Sequence, residues 1–138
     1  MLTRGLFAPL LLASLLAGGG CAGSAPPIVN GPAYPDRAQS GVIDVQVVRH
    51  STTITMTNTS ARAFKDARLW ANQWYSRDLP SWEPGQTLTL GLEEFKDRYG
   101  QPMKAGGFWA ADNPERLALM QLQQGDELTG LIVIGQAE

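Results

Sequence analysis

From Val42 of the 138-residue chain onward, alternation of apolar and polar residues with a period of two dominates, cut into short runs by turn-forming residues. A strand presents successive side chains to opposite faces, so this period fits half-buried strands and fits no helix. Val42–Arg49 sets Ile43, Val45 and Val47 on one face and Asp44 and Gln46 on the other. Thr53–Asn58 sets Ile54 and Met56 against Thr53, Thr55 and Thr57, and Arg49-His50-Ser51 between the two runs reads as a hairpin turn. Ala67–Tyr75 reads as a third strand and Gln86–Leu92 as a fourth, with Leu88, Leu90 and Leu92 on one face. Arg116–Gln123 and Glu127–Ile134 follow, apolar on both faces, and Gly106–Ala110 reads as a bulge or short strand. Helical signals are short: a turn or two at Glu93–Arg98 ended by Gly100, and one turn opened by Asn113-Pro114. The fold expected is all-β, a single antiparallel β-sandwich of six to seven strands. No Cys…Trp…Cys framework is present, which excludes an antibody-type domain.

The residues before Val42 have a different character. Arg4 supplies a short positive start, Leu6–Leu16 is a compact apolar run, and Ala17-Gly18-Gly19-Gly20 are small. That is the three-part pattern of a cleaved N-terminal signal peptide. The apolar run is about half the ~20 residues needed to span a bilayer as a helix. Cys21, the one cysteine of the chain, stands directly after the small residues. This arrangement resembles the lipobox of bacterial lipoproteins, although Gly18 occupies a position where that family usually has Leu. The resemblance implies cleavage before Cys21, diacylglycerol on its sulfur and acylation of the new amino terminus. By analogy with lipoprotein sorting, Ala22 after the cysteine implies the outer membrane, on its periplasmic face or at the cell surface. An ordinary signal peptide that leaves Cys21 as a spare thiol is the simpler alternative. Residues 21–41 carry four prolines and three glycines and read as a flexible linker from the lipidated cysteine, with Tyr34 able to pack on the domain edge. The organisation expected is therefore signal peptide 1–20, lipidated linker 21–41 and sandwich domain 42–138.

Within the domain, Asn58-Thr59-Ser60, Phe64-x-Asp66-Ala67-x-Leu69 and Trp82-x-Pro84-Gly85-Gln86-Thr87 look like segments of small immunoglobulin-like modules common in bacterial lipoproteins. Here Trp82 stands for the usual Leu. The likeness covers residues 52–92 and implies binding and assembly roles; it carries over no functional residue.

Composition removes several chemistries. Loss of residues 1–20 takes away only Arg4, leaving 10 basic against 13 acidic side chains. No polybasic footprint exists, so no nucleic-acid partner is expected. With one cysteine and one histidine, a Cys/His zinc centre cannot form within the chain, and no metal or cofactor is expected. His50 beside Ser51 lacks a Gly-x-Ser-x-Gly elbow and reads as an exposed turn residue. Glu93, Glu94 and Asp97 read as solvated turn acids balanced by Lys96 and Arg98. Asp112-Asn113-x-Glu115 lacks calcium-loop spacing, and Ala105-Gly106-Gly107 is too short for a phosphate cradle. No catalytic set is expected.

The aromatics remain. Trp70, Trp74, Tyr75, Trp82, Phe108 and Trp109 crowd a small domain. An exposed Trp70–Asn72–Trp74 row would form a platform for sugars or proteins, and Trp82, between Pro80 and Pro84, reads as a loop residue. The ligand-binding residues expected are Trp74, Trp82 and Asn72; the competing reading sends the tryptophans into the core. The function expected is a lipid-anchored, non-catalytic binding or assembly module with an envelope protein or glycan as partner. A carbohydrate- or peptidoglycan-binding domain using exposed aromatics is the alternative, and an enzyme using carboxylates alone would need a pocket where acids converge.

Overall fold

A computed structural model describes residues 29–137. The signal-peptide, lipobox and Cys21 readings lie outside the described residues. Seven strands follow in chain order: β1 Gly41–His50, β2 Thr53–Thr57, β3 Phe64–Ala71, β4 Tyr75–Trp82, β5 Thr87–Gly91, β6 Met120–Gln124 and β7 Glu127–Ala137. They form one sheet in the order β4-β3-β6-β7-β1-β2-β5. A single 3₁₀ turn at Leu92–Glu94 is the one helical element among the described residues.

All neighbouring strands are antiparallel except one pair. β1 and β7 run parallel, with Val47 opposite Val133 and Val48 opposite Ile134. The sheet is therefore mixed. The expectation of a purely antiparallel arrangement failed here because alternation is identical for either direction. The first and last strands can pair in parallel without a crossover of their own, since the rest of the domain connects them.

The sheet curls so that one face closes on itself. β4 and β5 are consecutive in sequence yet occupy opposite edges. Beyond β5 the chain reaches back to the β4 edge, where Ser76 and Lys96 exchange both backbone hydrogen bonds. The inner face collects Val45 and Val47 of β1, Ile54 and Met56 of β2, Leu69 of β3, Leu90 of β5, Met120 and Leu122 of β6 and Leu131 of β7, with Leu92, Phe95 and Met103 from the connection. The expected faces of β1, β2 and β5 are reproduced in this cluster.

The third strand departs from expectation. Ala67–Tyr75 is two strands, not one, because Asn72 and Gln73 both take positive φ (52° and 60°) and fold the chain into a tight hairpin. Two successive left-handed residues match the right-handed twist of the flanking strands. Pro80 lies inside β4 and breaks the alternation that would mark it as a strand in the sequence. The β3–β4 ladder skips Asp66 and Pro80, which face each other between Lys65–Ser81 and Ala67–Leu79. Pro80 has no N–H to give, and Asp66 takes φ 49°. This kink changes the side-chain phase, so Phe64 and Trp82 turn inward and pack at 5.8 Å. Trp82 is therefore a fully buried strand residue, and its indole donates to Gln86 O at 2.9 Å. The first hairpin also turns later than expected, at Ser51-Thr52, leaving Arg49 and His50 within β1. Gly106–Ala110 is loop, and residues 113–119 before Met120 form no strand.

Residues 30–40, expected within the linker, are packed as a strap across the outer face of the sheet. Asn30 and Gly31 donate backbone N–H groups to Arg98 O, and Ser40 N donates to Leu128 O. Between them Tyr34 meets Trp70 edge-on at 5.3 Å and donates to Gln121 Oε1 at 2.9 Å. Gln39 accepts from Gln121 Nε2 at 2.8 Å and crosses directly over Gly130, where a Cβ would collide with its amide. Trp70 is thus buried on the outer face, its indole donating to Gln123 Oε1 at 2.7 Å. Tyr34→Ala removes an aromatic pair and a side-chain hydrogen bond, which together predict a loss of about 2 kcal/mol in urea unfolding. An unchanged midpoint would mean that residues 30–40 are a free tether after all.

Candidate functional site

The register places every strand end at one of two ends of the domain. The loops at 58–63, 83–86 and 125–126 share one end. The β1–β2 turn, the β3–β4 turn and the long connection from Leu92 to Leu119 share the other. The second end holds the exposed aromatics.

Its base is built by three polar side chains. Arg49 continues the inward face of Val45 and Val47 and is 2% exposed. It has no carboxylate partner among the described residues. Its guanidinium donates instead to three backbone carbonyls: Ser51 O at 3.3 Å, Ala105 O at 3.0 Å, and Glu115 O. Burial pulls its pKa below the ordinary arginine value. Arginine remains charged even so, and its planar fork reaches several acceptors at once. The effect is to hold both legs of the 105–115 loop against the sheet.

Asn72 works from the opposite side. Its Oδ1 accepts from Ala118 N at 2.9 Å and Leu119 N at 3.2 Å, and its Nδ2 donates to Arg116 O at 2.7 Å. The β3–β6 ladder ends at Ala71–Met120, and Asn72 extends it with side-chain bonds. Tyr75 completes the base by donating to Glu115 Oε1 at 2.8 Å. Burial first, then this carboxylate, push the Tyr75 phenol up to about 12.

Above the base the loop narrows and projects. Glu115 N bonds Lys104 O at 2.8 Å, and Lys104 pairs with Asp112 at 3.2 Å. Gly106 takes φ 84° with Pro114 so close that a Cβ would lie 2.8 Å from it. At the tip stand Phe108 and Trp109, edge-to-face at 4.7 Å and 89% and 91% exposed. Bulky apolar side chains this open serve no packing role. Trp74, 53% exposed, sits in the β3–β4 turn at the same end, lining a shallow groove with Tyr34, Gln73 and Arg98.

The expected trio Trp74, Trp82 and Asn72 is not brought together. Trp74 is open to solvent, whereas Trp82 is core and Asn72 is spent on backbone groups. Trp70 is covered by the strap, so the Trp70–Asn72–Trp74 row is no platform. Phe108 and Trp109 went unranked in the sequence, yet Gly106-Gly107 before them and Asp112-Asn113-Pro114 after them are the punctuation of a projecting loop. Asn58 is wholly buried, donates to Arg62 O and Trp82 O, and accepts from Ser60. It organises the loops at the far end.

Glu94, Asp97, Asp78 and Glu115 are held by structural partners. Glu94 accepts from Gly91 N and pairs with Arg77 at 2.7 Å; the backbone bond first, then the guanidinium, hold it below the usual carboxylate range. Asp97 caps Tyr99 N and Gln101 N, both at 2.8 Å. Asp78 is bound to Arg68 at 2.7 Å. A groove of about 510 Å³ beside the loop is lined by Arg49, Glu115, Leu117, Val133 and Ile134, with one carboxylate in it. Among the described residues no three His, Cys, Asp or Glu side chains gather as a metal site requires, and no helix is long and apolar enough to cross a membrane. Comparison with protein-family models, curated proteins and solved structures gives no match.

The Tyr75–Glu115 contact has a pH signature. A phenol whose folded pKa is raised from 10 to about 12 contributes stability that is complete below pH 10 and lost as pH rises through that window. Tyr75 should give a late step in an ultraviolet phenolate titration, and Tyr75→Phe should remove that step and flatten the alkaline loss of stability. Titration of Tyr75 near pH 10 would contradict the contact.

Proposed function

We propose that this chain is an exported bacterial lipoprotein, anchored through Cys21, whose mature domain is a non-catalytic binding or assembly module of the cell envelope. The anchoring half rests on the sequence: a positive start, a short apolar run and small residues directly before the chain's one cysteine. One acyl chain on its own binds membranes marginally, whereas the several chains of a lipoprotein cysteine hold firmly. Ala22 favours the outer membrane.

The observation that carries the binding half is the exposed Phe108–Trp109 pair on a loop whose base is fixed by Arg49, Asn72 and Tyr75. Aromatic side chains offered on a rigid support are typical anchors of binding surfaces. We further propose that the curled sheet is a sandwich of immunoglobulin-like type, with β4-β3-β6-β7 as one layer, β2-β5 in the other, and β1 joining them. Two observations support this reading. Consecutive strands β4 and β5 lie at opposite edges, as a Greek-key path requires. The segments that look immunoglobulin-like also meet: Gly85 N donates to Asn58 O, and Asn58 N donates to Gln86 O. A second reading, carbohydrate or peptidoglycan binding, draws on Trp74, whose exposed ring is flanked by Gln73 and Arg98 in a shallow groove.

Expression in a bacterial host with intact-mass analysis and membrane fractionation tests the proposal. The wild type is expected to begin at Cys21, carry acyl mass and sediment with membranes, and Cys21→Ser to lose all three. Soluble wild type and variant cut at the same place would refute the anchor.

A further inference from the structure

The strap decides which end of the domain faces the anchor. It runs from Arg98, beside the start of β4, to Leu128 at the start of β7. The chain therefore joins the strap, at Asn30, on the same end as the 104–119 loop and Trp74. Nine peptide units separate Asn30 from Cys21. Fully extended they reach on the order of 30 Å, and as a flexible chain their root-mean-square span is roughly 17 Å. The ten residues of β1 alone run about 33 Å. To set the opposite end on the membrane the tether would have to double back along the whole domain at full stretch. With the aromatic end down, no stretch is needed.

From this we infer that Phe108 and Trp109 insert into the interfacial region of the membrane that holds the lipid anchor, giving the domain a second attachment point and a fixed orientation. The inference rests on the Cys21 anchor. Tryptophan and phenylalanine at a projecting tip suit the headgroup–acyl boundary, where an amphipathic ring is favoured. Ala110 and Ala111 extend the apolar tip. Lys96, Arg98 and Arg116 lie at the same end, are exposed, and form no ion pair among the described residues. They complement an anionic lipid surface. The tether keeps the tip at high local concentration near the bilayer, so a weak contact suffices.

The test uses the full processed chain, acylated, in vesicles of phosphatidylethanolamine and phosphatidylglycerol with brominated acyl chains. Bromine quenches indoles that reach the acyl boundary. Trp70 and Trp82 are buried, so the signal comes from Trp109 and Trp74. Quenching is expected in the wild type and is expected to fall roughly twofold or more in Trp109→Phe, which keeps an aromatic tip while deleting the reporter. Phe108 and Trp109 support no core, so an unchanged melting temperature accompanies this result. Acylated, vesicle-bound protein without quenching overturns the orientation and leaves the anchor intact; the tip then serves a partner in solution. Equal quenching in Trp109→Phe assigns the contact to Trp74 and overturns insertion of this loop. Absence of acyl mass on the wild type overturns the anchor and this inference together.

Discussion

Where β1 lies beside β7, the first and last strands of the domain run in the same direction and fuse two groups of strands into one continuous sheet. Without that pairing, β2 and β5 would have no hydrogen-bonded link to β4, β3 and β6. Because the joined sheet curls, its inner face can bury Val45, Val47, Leu69, Met120, Leu122 and Leu131 in a single cluster. Each fully buried aliphatic side chain of this kind contributes about 1.5–3 kcal/mol. The outer face gains a cover from residues 30–40, which explains how Trp70 is buried although it points away from that cluster.

The same strand that makes the seam also delivers Arg49 to the rim of the core. A guanidinium out of contact with water and without a carboxylate is costly unless its N–H groups find acceptors. Here the acceptors are carbonyls of the β1–β2 turn and of both legs of the 105–115 loop. The charge is thereby converted into a clasp. With Asn72 and Tyr75 it turns an otherwise unsupported connection into a firm base under an apolar tip. Core packing, loop geometry and the placement of Phe108 and Trp109 are thus links of one chain that begins in the β1 sequence.

Much of the sheet was legible from alternation alone: the inward faces of β1, β2 and β5 are those the period of two selects. The failures have local causes. Asn72-Gln73 lacks the Asn-Gly turn signature, so one hairpin was read as one strand. Pro80 disguised β4, and the phase change at Asp66 sent Trp82 inward. Strand direction leaves no trace in the period, which hid the parallel pair. The candidate site was less legible still, because exposure depends on what covers a strand. Tyr34 hides Trp70, and only the folded chain reveals it. The glycines and the Asp-Asn-Pro run flanking Phe108-Trp109 were a usable signal that the density of aromatics elsewhere obscured.

The strap ties these parts together, since it closes the outer face and starts, at Asn30, on the end of the domain that carries the aromatic loop. Amide hydrogen exchange on the full mature chain tests this most directly. Slow exchange is expected at Gly31 and Ser40, whose N–H groups bond Arg98 and Leu128, and at Glu115 in the loop base, alongside fast exchange at Phe108 and Trp109. If Gly31 and Ser40 instead exchange as fast as an unstructured linker, the strap does not hold, and the placement of Asn30 at the end that carries the aromatic tip is lost with it.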